Sequence, residues 1–193
     1  MVISPFLSCV LSDSQLIMEA LLDIYILSWN TRGTPRHLKD KVRRYNPTFL
    51  VILETHVPFA KLINFCTNNG YTPVNIVEAQ GHSGGIWLLQ NSATTLIATV
   101  IDFNTFSITF NIKSGNVITT CTCIYAIPNL AMRPNLSNHL TTIIQNITSP
   151  WMLIGDFNDT LLPSEQRGVF LIKPEPQFSL LSWKIVICST LPL

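Results

Sequence analysis

Short apolar runs recur along the chain, and turn-forming residues interrupt each run before it could become a long helix. A helical pattern separates the runs at residues 24–29 and 48–53, whereas the runs within 71–127 follow one another directly, with a hairpin loop predicted at 114–116. A last apolar stripe at helical spacing precedes the run at 151–154. This order predicts an α/β sandwich in which helices cover buried sheets.

Proline and asparagine mark the ends of the predicted helices. Thr34-Pro35 predicts a helix start, because proline is favoured at the first helical position, and Asn46-Pro47 predicts the end of that helix. A second helix is predicted to begin at Pro58. The side chains expected to face inward from this second helix are Phe59, Leu62, Ile63 and Cys66.

The composition indicates one ordered domain with a large apolar core. Of the 193 residues, 47% are hydrophobic and 12% are charged, so the chain has ample apolar surface to offset its ordering entropy. Because the formal net charge is only +1, a polyanion would have to be bound by a local patch or a metal ion. The basic cluster at residues 39–44 either contacts a DNA backbone or is the solvated face of a helix.

The amino terminus and the cysteines predict an intracellular protein. The first residues lack the basic n-region of a secretory signal, and no uncharged apolar run is long enough to span a bilayer. Cys121 and Cys123 lie two residues apart in a strand-like run, so we expect two buried thiols on one face rather than zinc ligands. Without a dense basic run, the sequence does not distinguish nucleus from cytoplasm.

Polar residues follow three predicted buried strands at the point where each strand ends. These residues are Asn30, Glu54, and Asp156 with Asn158, and strand alternation places the last two on one side with Phe157 on the other. Singly, Asn30 could begin a turn, Glu54 could be a loop carboxylate and Asp156 could be a cap. Because ligands bind at the carboxyl ends of strands, together they predict an oxygen-rich site for a hard cation such as Mg²⁺.

Five motifs occur in the order and approximate spacing of a known family. They read SWNTRG, LVILETH, SGGIWLL, IYAIP with a later arginine, and LIGDFN. The set resembles the endonuclease/exonuclease/phosphatase superfamily, and within it the endonuclease domain that plant LINE-type non-LTR retrotransposons encode beside a reverse transcriptase. The resemblance covers residues 24–168 and implies a four-layer α/β sandwich, with two packed β-sheets flanked by helices. Gly84 and Gly85 of the third motif either let a ligand approach the backbone or form a tight turn.

The resemblance implies a role for each polar residue at the strand ends. Glu54 would be the principal ligand of Mg²⁺ (or Mn²⁺), with Asn30 nearby holding the metal or the phosphate. Asp156 would orient and deprotonate the attacking water, and Asn158 would hydrogen-bond the scissile phosphate. Tyr125 matches a family tyrosine close to that phosphate. The implied chemistry is in-line displacement at phosphorus, with the metal offsetting the developing charge.

DNA is the implied substrate, and Arg133 would contact it. The leading hypothesis is therefore a Mg²⁺-dependent phosphodiester hydrolase of the DNA endonuclease type. A repair endonuclease or a phosphatase acting on a lipid or nucleotide would share the fold and stays open. A truncated product or pseudoenzyme without activity is the alternative from another functional class. No membrane association and no obligate protein partner are indicated.

The chain departs from the family pattern after Gly168. There the pattern requires a further aspartate and a Ser-Asp-His motif whose histidine stabilises the phosphate in the transition state, whereas residues 169–193 contain neither aspartate nor histidine. We therefore divide the chain into an unassigned segment at 1–23, a domain at 24–168 and a divergent tail at 169–193. We expect the last strands of the fold to be missing, a sheet edge to be exposed and turnover to be small or absent.

Overall fold

The structure is a computed structural model that describes residues 24–31, 35–80, 84–126, 133–156 and 184–185. Its elements, in chain order, are β1 Ile26–Asn30, α1 Pro35–Tyr45, β2 Phe49–Leu53, a 3₁₀ turn Phe59–Lys61, α2 Ile63–Asn68, β3 Tyr71–Val77, β4 Ile86–Asn91, β5 Ile97–Phe103, β6 Ser107–Ser114, β7 Val117–Tyr125, α3 Arg133–Ile144, β8 Trp151–Asp156 and β9 Lys184–Ile185.

The strands form two sheets, and each sheet contains a parallel pair joined by a helical crossover. The first sheet has the order β1-β2-β4-β3, and the second has the order β5-β6-β7-β8-β9. β1 runs parallel to β2 with Asn30 beside Leu53, and β7 runs parallel to β8 with Tyr125 beside Asp156. Parallel neighbours need a long connection, which α1 and α3 supply. Each pair therefore ends in polar residues at one edge of its sheet.

Strand β2 is buried on both faces, because the second sheet packs on one face and α1 packs on the other. Because side chains alternate along a strand, Phe49, Val51 and Leu53 face the second sheet while Leu50 and Ile52 face the other way, toward α1. From the second sheet, the core between the sheets receives Ile108, Phe110, Ile112, Cys121, Cys123, Tyr125, Met152 and Ile154. On the outer side of the first sheet, α1 contributes Leu38 and Val42.

Helix α3 covers the outer face of the second sheet. The apolar stripe that predicted this helix packs against Ile124, Trp151 and Leu153 of the sheet. Its members, all buried or half-buried, are Leu136, Leu140, Ile143, Ile144 and Ile147. The layers run in the order α1, first sheet, second sheet, α3, so the predicted four-layer α/β sandwich is confirmed.

The second predicted helix is interrupted. The 3₁₀ turn precedes α2, and its tighter winding changes the direction of the side chains that follow. Phe59 and Cys66 are buried as predicted, but Ile63 is 45% exposed, so the prediction that it faces inward is wrong. None of the helices in the described ranges has both the length and the apolar character needed to cross a bilayer.

The cysteines of β7 are buried thiols, as predicted. Cys121 and Cys123 both point into the core between the sheets, and neither forms a disulfide. Burial, and then the neighbouring Cys121, raises the pKa of the Cys123 thiol well above its usual range. Burial also raises the pKa of Cys66 in α2 to about 11. Thiols that stay protonated are poor nucleophiles, so Cys66 and Cys123 are packing residues.

Gly155 allows a close approach between β7 and β8. Its φ is +146°, and a Cβ at this position would overlap the carbonyl group of Ile124. A glycine inside a strand often marks such an approach of two backbones. The next pair along these strands is Tyr125 with Asp156, so Gly155 sets the strand spacing at the polar edge.

We expect Gly155→Ala to lower the free energy of unfolding by about 4 kcal/mol or more, because the added methyl group meets a backbone carbonyl that cannot turn aside. Gly115→Ala is the control. Gly115 has φ +59° in the β6–β7 hairpin, and nothing lies within 4 Å of a Cβ built there, so only the left-handed backbone opposes alanine. This control should cost about 1–2 kcal/mol. Urea unfolding measures both, and equal losses would contradict the close approach.

Candidate functional site

Four of the predicted site residues meet where the two parallel strand pairs end. Asn30 ends β1 and Glu54 follows β2 in the first sheet, while Tyr125 and Asp156 end β7 and β8 in the second. The Asn30 Nδ2 donates to Oδ2 of Asp156 at 2.8 Å, and the Tyr125 hydroxyl donates to Oε1 of Glu54 at 2.5 Å. The partners are 126 and 71 positions apart in the chain. Each hydrogen bond therefore crosses from one sheet to the other.

The two carboxylates of this site are buried. Glu54 is 0% exposed and Asp156 is 8% exposed. Removing an ionised carboxylate from water costs several kcal/mol, which hydrogen bonds and neighbouring positive charge must offset. The hydrogen bonds from Tyr125 and Asn30 supply part of that compensation. Two acids at one buried edge are an expensive arrangement for stability alone, and such arrangements concentrate at functional sites.

The backbone at Glu54 is held in an unusual conformation. Its φ is +53°, in the left-handed region that costs a residue with a side chain about 1–2 kcal/mol. Three hydrogen bonds fix this turn: the Glu54 N–H donates to the Gly85 carbonyl at 3.0 Å, the Thr31 N–H donates to the Leu53 carbonyl at 2.9 Å, and the Thr31 hydroxyl donates to the Glu54 carbonyl. Backbone strain persists only where its surroundings over-determine it, and it is frequent at active sites.

Gly85 makes room for the residue that follows Glu54. It has φ +89°, and a Cβ at this position would overlap the hydroxyl of Thr55. Gly84 also has a positive φ, of +83°. Of the two explanations that the sequence left open for these glycines, this geometry supports the tight turn before β4.

The sequence reasoning did not identify Thr31, Gly85 and Gly155 as supports of the site. Thr31 and Gly155 could have been found from their positions next to Asn30 and Asp156 in the quoted motifs, whereas Gly85 lies in a motif without a site residue. Asn158 lies outside the described residues, and so does the side chain of Arg133, which begins α3. Their roles stay predictions.

The donor chemistry of the site fits a hard divalent cation. Glu54 and Asp156 offer carboxylate oxygens and Asn30 offers an amide at the same edge, whereas Mg²⁺ characteristically takes one or two carboxylates and keeps several waters. Within the described residues, no group of three or more His, Cys, Asp and Glu side chains forms a fuller cage. His139 lies away from this edge, on α3, where its Nε2 is 2.9 Å from Oδ2 of Asp102.

The layers and the two buried carboxylates define an α/β sandwich with an oxygen-donor site at one edge of its sheets. The chain belongs to the Endonuclease/Exonuclease/phosphatase family, whose model matches residues 27–168. No match is found among curated proteins.

Solved structures share the fold. The endonuclease domain of TRAS1, a telomere-specific non-LTR retrotransposon, has a TM-score of 0.53 and 14% identity, over 70% of this chain and 59% of that one. Humanized TDP2 from D. rerio gives 0.51 and 14%, over 71% and 63%. The 3′ phosphatase NExo from Neisseria, bound to a product DNA hairpin, gives 0.52 and 14%, over 72% and 60%. The chain thus spans less than two thirds of each structure, and at this identity the likeness shows the fold alone.

We expect the hydrogen bond between Asn30 and Asp156 to appear as a coupling energy of about 1.5–3 kcal/mol, because its acceptor is a buried carboxylate. A double-mutant cycle with Asn30→Ala and Asp156→Ala, followed by urea unfolding, measures it. A second cycle that pairs Asn30→Ala with Asp102→Asn on the edge strand β5 is the control. The control cycle should be additive to within about 0.5 kcal/mol. Additivity in both cycles would show that the bond does not join the sheets in solution.

Proposed function

We propose that this chain is a Mg²⁺-dependent phosphodiester hydrolase of the DNA endonuclease type. The observation that supports it most is the meeting of Asn30, Glu54, Tyr125 and Asp156 through two hydrogen bonds between the sheets. Family membership supports the reaction class, because the family groups endonucleases, exonucleases and phosphatases. DNA as substrate is supported by what the similar structures are named for, a retrotransposon endonuclease and a phosphatase bound to a DNA hairpin.

Each residue has a role in the proposed reaction. Glu54 would hold Mg²⁺ (or Mn²⁺), which when bound supplies Lewis-acid stabilisation of the phosphoryl oxygens. Asp156 accepts a proton from the attacking water, and the Asn30 amide, which already donates to Oδ2 of Asp156, fixes the carboxylate in the orientation for that transfer. Tyr125 fixes Glu54 in the same way. Asn158 would contact the scissile phosphate.

Arg133 completes the proposed set on the substrate side. It begins α3, and α3 leads into β8 and hence to Asp156. A guanidinium at this point would offer paired N–H donors to a phosphate. A phosphatase acting on DNA ends would use the same residues, so the choice between internal and terminal phosphates depends on the substrate surface.

We further propose that these 193 residues by themselves turn over slowly. The family pattern requires a histidine near the transition-state phosphate, and the last histidine of this sequence is His139, which is held by Asp102. The loss of one such donor typically lowers the rate by about a hundredfold to a thousandfold. A plant retroelement origin is part of this proposal and is tested by genomic sequence. A reading frame after the codon for Gly168 that encodes the Asp and His motifs and then a reverse transcriptase would support it.

We expect slow nicking of supercoiled plasmid by excess protein with Mg²⁺, and no nicking by Glu54→Ala or Asp156→Ala. Removing either carboxylate removes a metal ligand or the proton acceptor. Asp102→Asn, which removes a carboxylate from β5, should nick as the wild type does. Relaxed and linear products on an agarose gel measure the reaction. Equal nicking by all four proteins would indicate a contaminating nuclease and favour a non-catalytic protein.

We expect Mg²⁺ or Mn²⁺ to raise the melting temperature, because a ligand that binds only the folded state adds about 2.7 kcal/mol at a hundred times its Kd. Differential scanning fluorimetry at constant ionic strength measures the shift. Glu54→Gln keeps the shape of the side chain but removes its charge, so this variant should lose the shift. Asp102→Asn should keep it. A shift of the same size in Glu54→Gln would place the bound cation elsewhere.

A further inference from the structure

Helix α1 concentrates the positive charge of the chain. Of the twelve Lys and Arg residues five lie in Pro35–Tyr45, with one of the eleven Asp and Glu residues. This helix therefore has a formal charge of +4, and the other 182 residues together have −3. The net charge of +1 conceals this separation, which is large enough to attract a polyanion locally.

The four described cations of α1 have no carboxylate partners among the described residues. Lys39, Arg43 and Arg44 are exposed and Lys41 is half-buried, and in the described part of the chain no ion pair joins any of them to an acid. The Arg44 guanidinium and the Lys41 ammonium lie 5.3 and 5.8 Å from the ring centre of Tyr45. These contacts hold two of the cations near the helix surface without neutralising them.

Helix stability does not explain this cluster fully. Arg43 and Arg44 lie in the last turn, where cations favour the helix dipole. Lys39 lies before that turn, four residues from Arg43, and like charges at this spacing oppose each other by about 0.2–0.5 kcal/mol. Asp40 and Arg44 have the same spacing and opposite charges, so this pair is favourable by a similar amount. One acid among five cations leaves most of the positive charge of the helix uncompensated within α1.

The position of α1 relates it to the candidate site. The helix follows β1, which ends at Asn30, and packs through Leu38 and Val42 on the outer face of the first sheet. Because it connects two parallel strands, it runs back from the edge where Asn30 and Glu54 lie. Its 11 residues span about 16 Å. A DNA duplex presents about ten phosphates over that length.

We propose that the α1 basic face, formed by the exposed Lys39, Arg43 and Arg44, binds the sugar–phosphate backbone of duplex DNA at a distance from the cleaved bond. This inference rests on the proposed function, because it takes DNA as the substrate. Contacts to phosphates fix position and orientation on the duplex without reading bases. The α1 basic face would thus hold a substrate of any sequence against the site.

The salt dependence of binding tests the proposal. Each cation that neutralises a phosphate adds about 0.9 to the slope of log K against log salt. We expect Lys39→Gln/Arg43→Gln to flatten the slope by about 1.8 and to weaken binding about fiftyfold at 0.1 M salt. Fluorescence anisotropy with a labelled duplex in EDTA, where metal-dependent cleavage cannot occur, measures both quantities.

Two control variants separate position from charge. Lys113→Gln removes an exposed cation beside the β6–β7 hairpin of the second sheet and should leave the slope unchanged. Lys39→Arg/Arg43→Lys exchanges the side chains and keeps their charge, so it should also leave the slope unchanged. Urea unfolding of each variant checks that α1 remains folded.

The outcomes separate this inference from the proposed function. A slope that is the same in the wild type and in Lys39→Gln/Arg43→Gln would overturn the role of α1, even if the wild type nicks DNA. The expected loss of slope, together with equal nicking by wild type and Glu54→Ala, would support DNA binding and reject the hydrolase. If Lys39→Gln/Arg43→Gln loses binding to phosphatidylserine vesicles but not to DNA, the α1 basic face is a membrane surface and the proposal fails.

Discussion

The structure depends on two acidic side chains that are buried between the ends of two β-sheets. Glu54 belongs to the first sheet and Asp156 to the second, and each accepts a hydrogen bond from the sheet opposite. An apolar interface would tolerate sliding, since hydrophobic contacts have no direction. Hydrogen bonds do have direction, and breaking one would remove part of the compensation of a buried carboxylate. These two bonds therefore fix the relative position of the sheets at the edge where chemistry is proposed.

The backbone around this edge also has unusual conformations at the positions that hold the two acids. Glu54 occupies the left-handed region and Gly155 brings β7 against β8. Both features oppose stability if considered alone, because strained backbone and absent side chains forgo favourable packing. Strands β2 and β8 both contribute buried apolar side chains to the core between the sheets. The packing of this core holds Glu54 and Gly155 in place. The favourable packing of this core thus offsets the unfavourable backbone conformations at the edge of the sheets.

Much of this architecture could be predicted from periodicity. The run at 71–77 became β3, the helix beginning at Pro35 became α1, and the stripe from Leu136 covers the second sheet. Polar residues at strand ends also indicated the site, because parallel strands end at a common edge. Local patterns could not predict the 3₁₀ turn that exposes Ile63, nor the positive φ of Glu54. Both depend on contacts between distant segments, such as the hydrogen bond from Glu54 to Gly85.

In the proposed complex, the negative charge of the DNA must be compensated in two places: at the reacting phosphate and along the rest of the duplex. A phosphodiester that approached Glu54 and Asp156 would meet two negative charges in a medium less polar than water, where repulsion is strong. A divalent cation held at Glu54 would offset the charge of the two carboxylates where the reacting phosphate approaches. Its effect would be short in range because salt screens exposed charges beyond about 10 Å. Phosphates farther along a duplex would need separate compensation, and the +4 charge of α1 is the group proposed to supply it.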